Sequence, residues 1–315
     1  MQYYKLGKSG YNVSRICFGT LTIGPLCANL SLEAGASLIK EAVDLGINFF
    51  DTAQQYRTYP YLRKALFGIG EDVIIASKTL ATNYDEAAYD IEEARIGLAR
   101  DKIDIFLLHE QRNIQELHAN LPALEALLDA KQNGVIGAVG ISTHSSAVAA
   151  AVAVMSEIDI LFALVNIAGI GINDGSLEDM EAACIAAKKQ NIGVYGMKAI
   201  GGGALMHQAK SALNWAYSRL YLDSVAVGIK DHAELVTNIA WCEGREATES
   251  SKIELYNRQM VFDKDPVCHG CGSCVARCPQ GAIKLINGMC QWQKQKCLYC
   301  GYCIAACPWF CISFC

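Results

Sequence analysis

Cysteine spacing is the most informative chemical feature of this sequence. Nine of the fifteen cysteines lie between residues 268 and 307, and eight of these form two runs of Cys-x2-Cys-x2-Cys-x3-Cys-Pro that are offset by 29 residues. Three thiolates spaced in this way can reach three corners of one iron–sulfur cubane, and the fourth corner then needs a ligand from elsewhere. Zinc typically takes two separated pairs of ligands, so the spacing favours two 4Fe-4S clusters over zinc sites or a disulfide scaffold. The candidate ligands are Cys268, Cys271, Cys274, Cys278, Cys297, Cys300, Cys303 and Cys307.

A second set of reactive side chains lies at or near the ends of short apolar runs. Asp51, Lys78 and His109 belong to "INFFDT", "VIIASK" and "IDIFLLH", and Tyr56 follows shortly after Asp51. A phenol with an ordinary pKa of about 10 donates a proton near neutral pH only if a cation lowers that pKa, and Lys78 could supply the cation. Asp51 would keep Lys78 charged, and His109 would hydrogen-bond a carbonyl oxygen. The set therefore indicates acid catalysis at a carbonyl group.

These side chains act together only if the fold gathers the ends of the runs. Between Arg15 and roughly Ile229, eight apolar runs alternate with segments of helical periodicity. This pattern predicts an α/β fold, a parallel (β/α)8 TIM barrel with its active site at the carboxyl ends of the strands. A β-hairpin around Ser9 is expected to plug the bottom of the barrel. The predicted units are the barrel over residues 1–243, a linker or spacer helix over 244–264, and a small α+β two-cluster domain over 265–315.

Composition and charge exclude several classes of partner. The chain has 315 residues, of which 52% are hydrophobic, which is enough for one large core and a small second unit. The formal net charge of −5 and the lack of a Lys/Arg block predict no nucleic-acid partner and no membrane partner. The N-terminus lacks a signal-peptide pattern, so we expect a cytoplasmic protein whose cysteines bind metal rather than form disulfides. Oxygen-sensitive clusters suggest an anaerobic host.

Four short motifs together resemble an aldo-keto reductase. "NFFDTAQQY", "IIASK", "DIFLLH" and "VGISTH" occur in this order at predicted strand ends, and the resemblance covers roughly residues 1–240. Such enzymes transfer hydride from NADPH to a carbonyl carbon, while an Asp-Tyr-Lys-His tetrad supplies the proton. The resemblance implies that Tyr56 is the general acid and that Lys78 adjusts its pKa. It also implies that Asp51 is the partner of Lys78 and that His109 orients the carbonyl group.

The nicotinamide site implied by this resemblance departs from the family pattern. Ser142 and Asn166 match the residues that hold the carboxamide, but Phe162 replaces the usual glutamine and Met197 the usual stacking tyrosine. The glycine-rich segment after Met197 could face phosphates, and the arginine that often marks a 2′-phosphate site is missing. The choice between NADPH and NADH therefore stays open. The candidate cofactor-binding residues are Ser142, His144, Asn166, Met197, Lys198, Lys230 and Asn238.

The C-terminal runs are similar to those of bacterial two-cluster ferredoxins, in which the fourth cysteine of each run binds the other cluster. The resemblance implies one cluster on Cys268, Cys271, Cys274 and Cys307, and a second on Cys297, Cys300, Cys303 and Cys278. Nicotinamides exchange electrons in pairs and each cubane exchanges one, so a flavin is possible as an intermediary, although no flavin motif is visible. Between residues 265 and 315 one acidic and four basic side chains favour an acidic ferredoxin-type or flavodoxin-type partner.

Two functions are consistent with this sequence. The first is an iron–sulfur oxidoreductase of aldo-keto reductase type that reduces or oxidises a small carbonyl or enone substrate, linked to NAD(P)H and to a low-potential electron carrier. The second is an electron-transfer or assembly module whose barrel no longer performs NAD(P)H-dependent reduction. Phe162, Met197 and the "RTYP" segment after Tyr56 suggest the second function. The complete tetrad favours the enzyme.

Overall fold

Eight parallel strands of the described chain close into a barrel, in which sequence neighbours pair and the eighth strand pairs with the first. The computed structural model describes residues 1–69, 72–203, 205, 208–251, 262–264, 268–278, 280–297, 302–307 and 312–314. In chain order the barrel strands are Ile16–Gly19, Phe49–Asp51, Ile74–Thr79, Ile103–Leu108, Ile136–Thr143, Ile160–Leu164, Gly193–Met197 and Ser224–Gly228. Each predicted apolar run overlaps one of these strands, so the predicted barrel is confirmed.

Helices connect the strands and pack their apolar sides against the barrel wall. Polar caps define where several of them begin. The Ser31 hydroxyl accepts the backbone N–H of Ala34, and Ser176 and Asp179 form a reciprocal capping box. The α-helices around the barrel are Leu32–Asp44, Tyr59–Ala65, Tyr84–Leu98, Ile114–Ala119, Leu121–Gln132, Ser146–Val152, Leu177–Lys189, Ala209–Tyr217 and His232–Cys242. Short 3-10 turns are Thr20–Ile23, Gln54–Tyr56, Gly201–Gly203 and Lys294–Lys296.

Alternation along the strands divides the core into two parts. One set of strand side chains, such as Phe18, Phe50 and Phe106, packs outward against the helices. The other set fills the barrel interior and includes Phe49 and Tyr195. Strands buried on both faces need apolar side chains at nearly every position, which explains the continuous Ile, Val and Phe runs in the sequence. Polar residues are therefore concentrated at the strand ends, where the candidate site lies.

The predicted N-terminal hairpin plugs the bottom of the barrel. Strand Tyr3–Lys5 pairs antiparallel with Asn12–Ser14, and the fully buried Leu6 and Val13 join the interior cluster of the barrel. Gly7 has a φ of 53° and lies so close to the seventh strand that an added Cβ would be 2.1 Å from the backbone nitrogen of Gly193. Glycine is required there on both grounds.

The described residues of the C-terminal unit form two small antiparallel sheets and two short helices. Ile283–Ile286 pairs with Met289–Trp292, and Phe262–Lys264 pairs with Ile312–Phe314. The helices are Ser273–Arg277 and Tyr302–Ala305.

The strand Phe262–Lys264 falls within the range predicted as a linker, and its pairing ties it to the end of the chain. Residues 252–261 of that range lie outside the described residues, so the exact domain boundaries stay a prediction. In the described part of the chain, no helix is long and apolar enough to cross a bilayer.

We expect the hairpin plug to stabilise the barrel measurably. Leu6→Ala should lower the free energy of unfolding by about 2–5 kcal/mol, because it leaves a cavity under the interior cluster. Leu220→Ala is the matched control, since Leu220 is 95% exposed whereas Leu6 is 0% exposed, and should change stability by less than about 0.5 kcal/mol. Anaerobic urea unfolding followed by circular dichroism measures both, and equal midpoints would contradict the plug.

Candidate active site and cluster-binding segment

The four residues of the predicted tetrad meet at one end of the barrel. Asp51 ends the second strand, Lys78 lies one residue before the end of the third, and His109 directly follows the fourth. Tyr56 ends the 3-10 turn that follows the second strand. Because all eight strands are parallel, their carboxyl ends lie on the same side, and the structure brings these four side chains together there.

A buried ion pair lies at the centre of this group. The Lys78 Nζ donates to Asp51 Oδ1 at 2.6 Å and to the Thr52 carbonyl oxygen at 2.7 Å. The Tyr195 hydroxyl donates to the other carboxylate oxygen of Asp51 at 3.0 Å. Burial lowers the pKa of Lys78 and raises the pKa of Asp51, and the attraction between the two opposes both shifts. Each charge is therefore satisfied by its partner and by further hydrogen bonds.

Tyr56 lies beside this pair and against His109. Lys78 Nζ is 5.1 Å from the centroid of the Tyr56 ring, and the Tyr56 and His109 rings meet edge to face with centroids 5.9 Å apart. The pKa of Tyr56 lies well above its ordinary value, because burial and the nearby carboxyl groups of Asp51 and Glu110 disfavour the phenolate.

The effect of Lys78 on the pKa of Tyr56 stays a prediction, and in this structure that pKa lies above its ordinary value. Burial of the phenol is the largest cause of the raised pKa, and the Lys78 ammonium is bound to Asp51. Tyr56 consequently keeps its proton at neutral pH, and it can donate that proton only if a cation such as Lys78 stabilises the phenolate that forms.

His109 is neutral and is oriented by a glutamine that sequence reasoning missed. Burial lowers its pKa well below the ordinary value, and the positive charge of Lys78 and the neighbouring His144 and Lys198 lower it further. Gln55 Nε2 lies 2.9 Å from His109 Nδ1. With the Gln55 amide in this orientation, the ring proton is on Nε2, and that nitrogen can donate to a carbonyl oxygen. The position of Gln55 directly before Tyr56 is the signal that could have identified it.

The candidate carboxamide contacts are buried but already engaged. Ser142 Oγ accepts the backbone N–H of Glu110 at 2.8 Å. Asn166 Oδ1 accepts the backbone N–H groups of Ala168 and Ile170, at 3.2 Å and 3.0 Å, and its Nδ2 donates to the Ile170 carbonyl oxygen at 2.8 Å. Asn166 therefore holds its own loop after the sixth strand, whereas Ser142 still has a hydroxyl proton to donate.

An aromatic stack occupies the place where the family pattern has glutamine. The Phe162 ring stacks on Tyr195 with centroids 3.9 Å apart and 9° between their planes. Its centroid lies 5.3 Å from Lys78 Nζ, so Phe162 forms a second aromatic wall around the ion pair. Met197 is half-buried at the end of the seventh strand and packs against the same interior cluster.

The other candidate cofactor residues lie on neighbouring loops of this rim. His144 is buried after the fifth strand, and its pKa is well below the ordinary value because of burial and the charges of Lys198 and Arg277. Lys198 follows the seventh strand with a φ of 56°. Lys230 and Asn238 lie on the loop after the eighth strand and on the helix that follows it.

Among the described residues of the C-terminal unit, Arg277 and Tyr302 contact this end of the barrel, and sequence reasoning did not single out either for the site. Arg277 Nη2 donates to Asn173 Oδ1 at 3.1 Å, and the buried Tyr302 has Lys198 Nζ 5.8 Å and Arg277 Cζ 5.7 Å from its ring centroid. A Cβ added to Gly171 would lie 2.7 Å from the Tyr302 hydroxyl. Tyr302 in the second cysteine run corresponds to Ser273 in the first run. This difference between the two repeats is the sequence feature that could have identified Tyr302.

Four cluster cysteines surround one cavity in the C-terminal unit. The cavity is lined by Cys268, Cys271, Cys274 and Cys307, together with Leu285, Cys290 and other residues of the same unit. These are the four thiols that the crossed ferredoxin pattern assigns to one cluster. Burial and the nearby thiols of Cys307 and Cys268 raise the pKa of Cys274. The donor chemistry and the shared cavity therefore fit a 4Fe-4S cluster.

The second predicted ligand set is described in part, since Cys300 lies outside the described residues. Cys278, Cys297 and Cys303 all contribute to the small core of the C-terminal unit. The Cys278 sulfur accepts the backbone N–H of Ala282 at 3.2 Å. Among the described residues, no three His, Cys, Asp or Glu side chains are arranged to hold a single metal ion.

A closed parallel barrel with Asp, Tyr, Lys and His at its carboxyl rim defines the class as a (β/α)8 barrel of oxidoreductase type. The aldo/keto reductase family model matches residues 15–214, and a 4Fe-4S dicluster domain model matches residues 259–308. The chain therefore belongs to the aldo/keto reductase family and carries a C-terminal 4Fe-4S dicluster domain. Both resemblances inferred from the sequence are confirmed.

Known relatives are similar over part of the chain. YqkF, an uncharacterized oxidoreductase of Bacillus subtilis, is 30% identical over 162 residues, which is 45% of this chain and 49% of that protein. L-galactose dehydrogenase of Arabidopsis thaliana is 25% identical over 64% of this chain and 66% of its own length. The chain thus spans about half to two thirds of these relatives. The holo form of an aldo-keto reductase from Bacillus halodurans has the same fold, with a TM-score of 0.65 and 21% identity over 81% of this chain and 95% of that one.

Breaking the buried ion pair should cost far more than breaking an exposed one. Lys78→Met leaves Asp51 buried without its cation, and we expect the free energy of unfolding at pH 7 to fall by about 3–5 kcal/mol. The matched control Lys64→Met removes the exposed pair with Glu33 and should cost less than about 1 kcal/mol.

The loss in Lys78→Met should also depend on pH. Without the cation, the folded-state pKa of Asp51 rises further above its unfolded value, so stability recovers as the pH falls through that raised pKa. Urea unfolding between pH 5 and 8 measures this slope. A loss as small as that of Lys64→Met, or a loss independent of pH, would contradict the role of the pair.

Proposed function

We propose that this protein is an NAD(P)H-linked oxidoreductase that reduces, or in reverse oxidises, a small carbonyl or enone substrate in the cytoplasm, with Tyr56 as the general acid. One observation carries the proposal, namely that Tyr56 lies between the Lys78–Asp51 ion pair and His109 at the carboxyl rim of the barrel. A neutral phenol, a neutral imidazole and a buried cation in contact are the groups that carbonyl reduction requires.

In this proposal each side chain has a separate task. His109 Nε2–H hydrogen-bonds the substrate oxygen and fixes its position beside the Tyr56 hydroxyl. Tyr56 gives its proton to that oxygen as negative charge develops on it, and Lys78 stabilises the phenolate that results. A bound nicotinamide would supply the hydride, so that one hydride and one proton convert a carbonyl group to an alcohol.

The rim offers an uneven fit to a dinucleotide. Gly201 and Gly202 both have positive φ beside Lys198, and such a backbone fits phosphate groups. Ser142 would donate to the carboxamide. Asn166 would bind it only after leaving its hydrogen bonds to Ile170, so the phosphate end of the site fits better than the nicotinamide end.

The C-terminal unit would hold two 4Fe-4S clusters that exchange single electrons with a low-potential carrier. Cys268, Cys271, Cys274 and Cys307 share one cavity and would ligate the first cluster. Cys278, Cys297, Cys300 and Cys303 would ligate the second. The contacts of Arg277 and Tyr302 with the barrel support a shared function of clusters and barrel, and the oxygen sensitivity of such clusters suits an anaerobic cell.

Tyr56→Phe tests the proposed acid directly. We expect turnover of carbonyl or enone substrates to fall by about 10²–10⁴-fold, because the ring stays in place and the proton donor is lost. Tyr89→Phe is the matched control, since Tyr89 is exposed on the outer helix Tyr84–Leu98, and should leave turnover unchanged. Iron and sulfide content should be the same in the unaltered protein and in both variants. Unaltered turnover in Tyr56→Phe would refute the role.

A second function, an electron-transfer or assembly module without reductase activity, is favoured by one specific observation. Phe162 stacks on Tyr195 where the family has glutamine, and Asn166 is engaged within its own loop. Anaerobic calorimetry with NADPH and NADH distinguishes the two functions. The enzyme should bind one of them with a micromolar dissociation constant, whereas a module should bind neither. Lys198→Ala should weaken binding about tenfold if its cation contacts phosphate.

A further inference from the structure

The two predicted clusters have different neighbours. Arg277 and Tyr302, which contact the barrel rim, directly precede Cys278 and Cys303 in the chain. Both cysteines belong to the predicted second ligand set. Cysteines of the second ligand set therefore directly follow both residues that contact the barrel, and Cys274 of the first set lies on the same helix as Arg277.

The first cluster cavity is close to the protein surface instead. Its lining includes Cys271, which is exposed, and Leu285, which is 42% exposed. The loop that carries Cys271 touches the turn of the hairpin Ile283–Trp292, because a Cβ on Gly270 would lie 2.1 Å from the Gly288 carbonyl oxygen. Electron exchange between proteins requires a short distance from the cofactor to the surface, and the Cys271 edge provides it.

The hairpin beside this edge has an apolar outer face. Leu285 and Cys290 pair across the strands and line the cavity, so the alternate residues point the other way. On that outer face Ile286 pairs with Met289, and they are 42% and 39% exposed. Lys284 precedes Ile286 by two positions and lies on the same face, also exposed. We call Cys271, whose loop touches the turn of this hairpin, together with Lys284, Ile286 and Met289 on its outer face the cluster-edge surface.

The charge of this unit differs from that of the whole chain. The chain carries a formal net charge of −5, but no Asp or Glu occurs after Asp265. Lys284, Lys294 and Lys296 are exposed, whereas Arg277 contacts the barrel. Clusters held by four thiolates would themselves be anionic, whereas the exposed side chains of this unit include these three lysines. Lys284 thus puts a positive charge on the apolar outer face, and Lys294 and Lys296 add exposed positive charge to the same unit.

We propose that the cluster-edge surface docks an acidic one-electron redox protein and that the first cluster is the point of electron exchange with it. The proposal rests on the cluster assignment of the proposed function. In the exchange the first cluster gains or loses one electron and the carrier loses or gains the same electron, with no bond or proton transferred. Apolar contact at Ile286 and Met289 would bring the partner close, and Lys284 would pair with its carboxylates.

The test measures electron exchange without nucleotide or carbonyl substrate. The cluster-replete full chain is mixed anaerobically with an acidic plant-type two-iron ferredoxin, one of the two having been reduced with dithionite, in whichever direction is downhill. Stopped-flow absorbance gives the second-order rate constant at ionic strengths of about 0.02 M and about 0.5 M. The variants are Lys284→Glu, Lys284→Gln, the double change Ile286→Ser with Met289→Ser, and the control Lys40→Glu on the exposed side of the helix Leu32–Asp44.

Lys284→Glu should slow the exchange about threefold to tenfold at low ionic strength, and the difference should vanish at high ionic strength. Lys284→Gln should slow the exchange by a smaller factor. It replaces Lys284→Glu in the test if that variant does not retain its clusters. The apolar double change should slow exchange at both ionic strengths. Lys40→Glu makes the same change in net charge and should leave the rate constant as in the unaltered protein.

Equal rate constants for Lys284→Glu, Lys284→Gln and Lys40→Glu would overturn the proposal. So would a dimer that the apolar double change converts to a monomer, because this surface would then join two copies of the chain. Iron, sulfide and the electron paramagnetic resonance signal are measured for every variant. Dithionite supplies the electrons in this test instead of NAD(P)H. The result can therefore be interpreted even if the Tyr56→Phe or calorimetric test contradicts the proposed function of the barrel.

Discussion

The ion pair between Lys78 and Asp51 is the constraint on which the carboxyl end of the barrel depends. A fully buried ammonium is stable only if its charge and N–H groups are satisfied, and here Asp51 and the Thr52 carbonyl oxygen satisfy them. The second oxygen of Asp51 needs a donor too, and Tyr195 supplies it from the opposite wall of the barrel. Phe162 then stacks on Tyr195. One buried charge thereby links the second, third, sixth and seventh strands and fixes the floor beneath Tyr56.

The loop after the sixth strand contains the candidate cofactor residue Asn166 and also contacts the C-terminal unit. Asn166 holds this loop through its hydrogen bonds to Ile170. A few residues later Gly171 makes room for Tyr302, and Asn173 accepts a hydrogen bond from Arg277. The same short segment therefore is held by internal hydrogen bonds of Asn166 and contacts the cluster-bearing unit.

Most of the fold and the tetrad could be predicted from the sequence because both depend on local patterns. Each barrel strand is an apolar run, and each tetrad residue lies at the end of a run or one turn beyond it. Gln55 and Tyr302 were missed because their roles depend on which loops meet in space. The strand Phe262–Lys264 was predicted as linker because it is three residues long and its partner, Ile312–Phe314, lies far along the chain. The raised pKa of Tyr56 follows from burial, which the motif does not encode.

The electrostatics of the rim give different roles to the two residues that could donate a proton to a substrate. Tyr56 and His109 are in ring contact, so a substrate oxygen between them would meet both. Burial and two carboxyl groups keep the proton on Tyr56, whereas burial and three neighbouring positive or polar groups keep His109 neutral. A neutral imidazole can orient an oxygen but is a poor acid, because its remaining N–H is far less acidic than that of imidazolium. The charge that develops on the oxygen would therefore draw its proton from Tyr56, next to the Lys78 cation that stabilises the resulting phenolate.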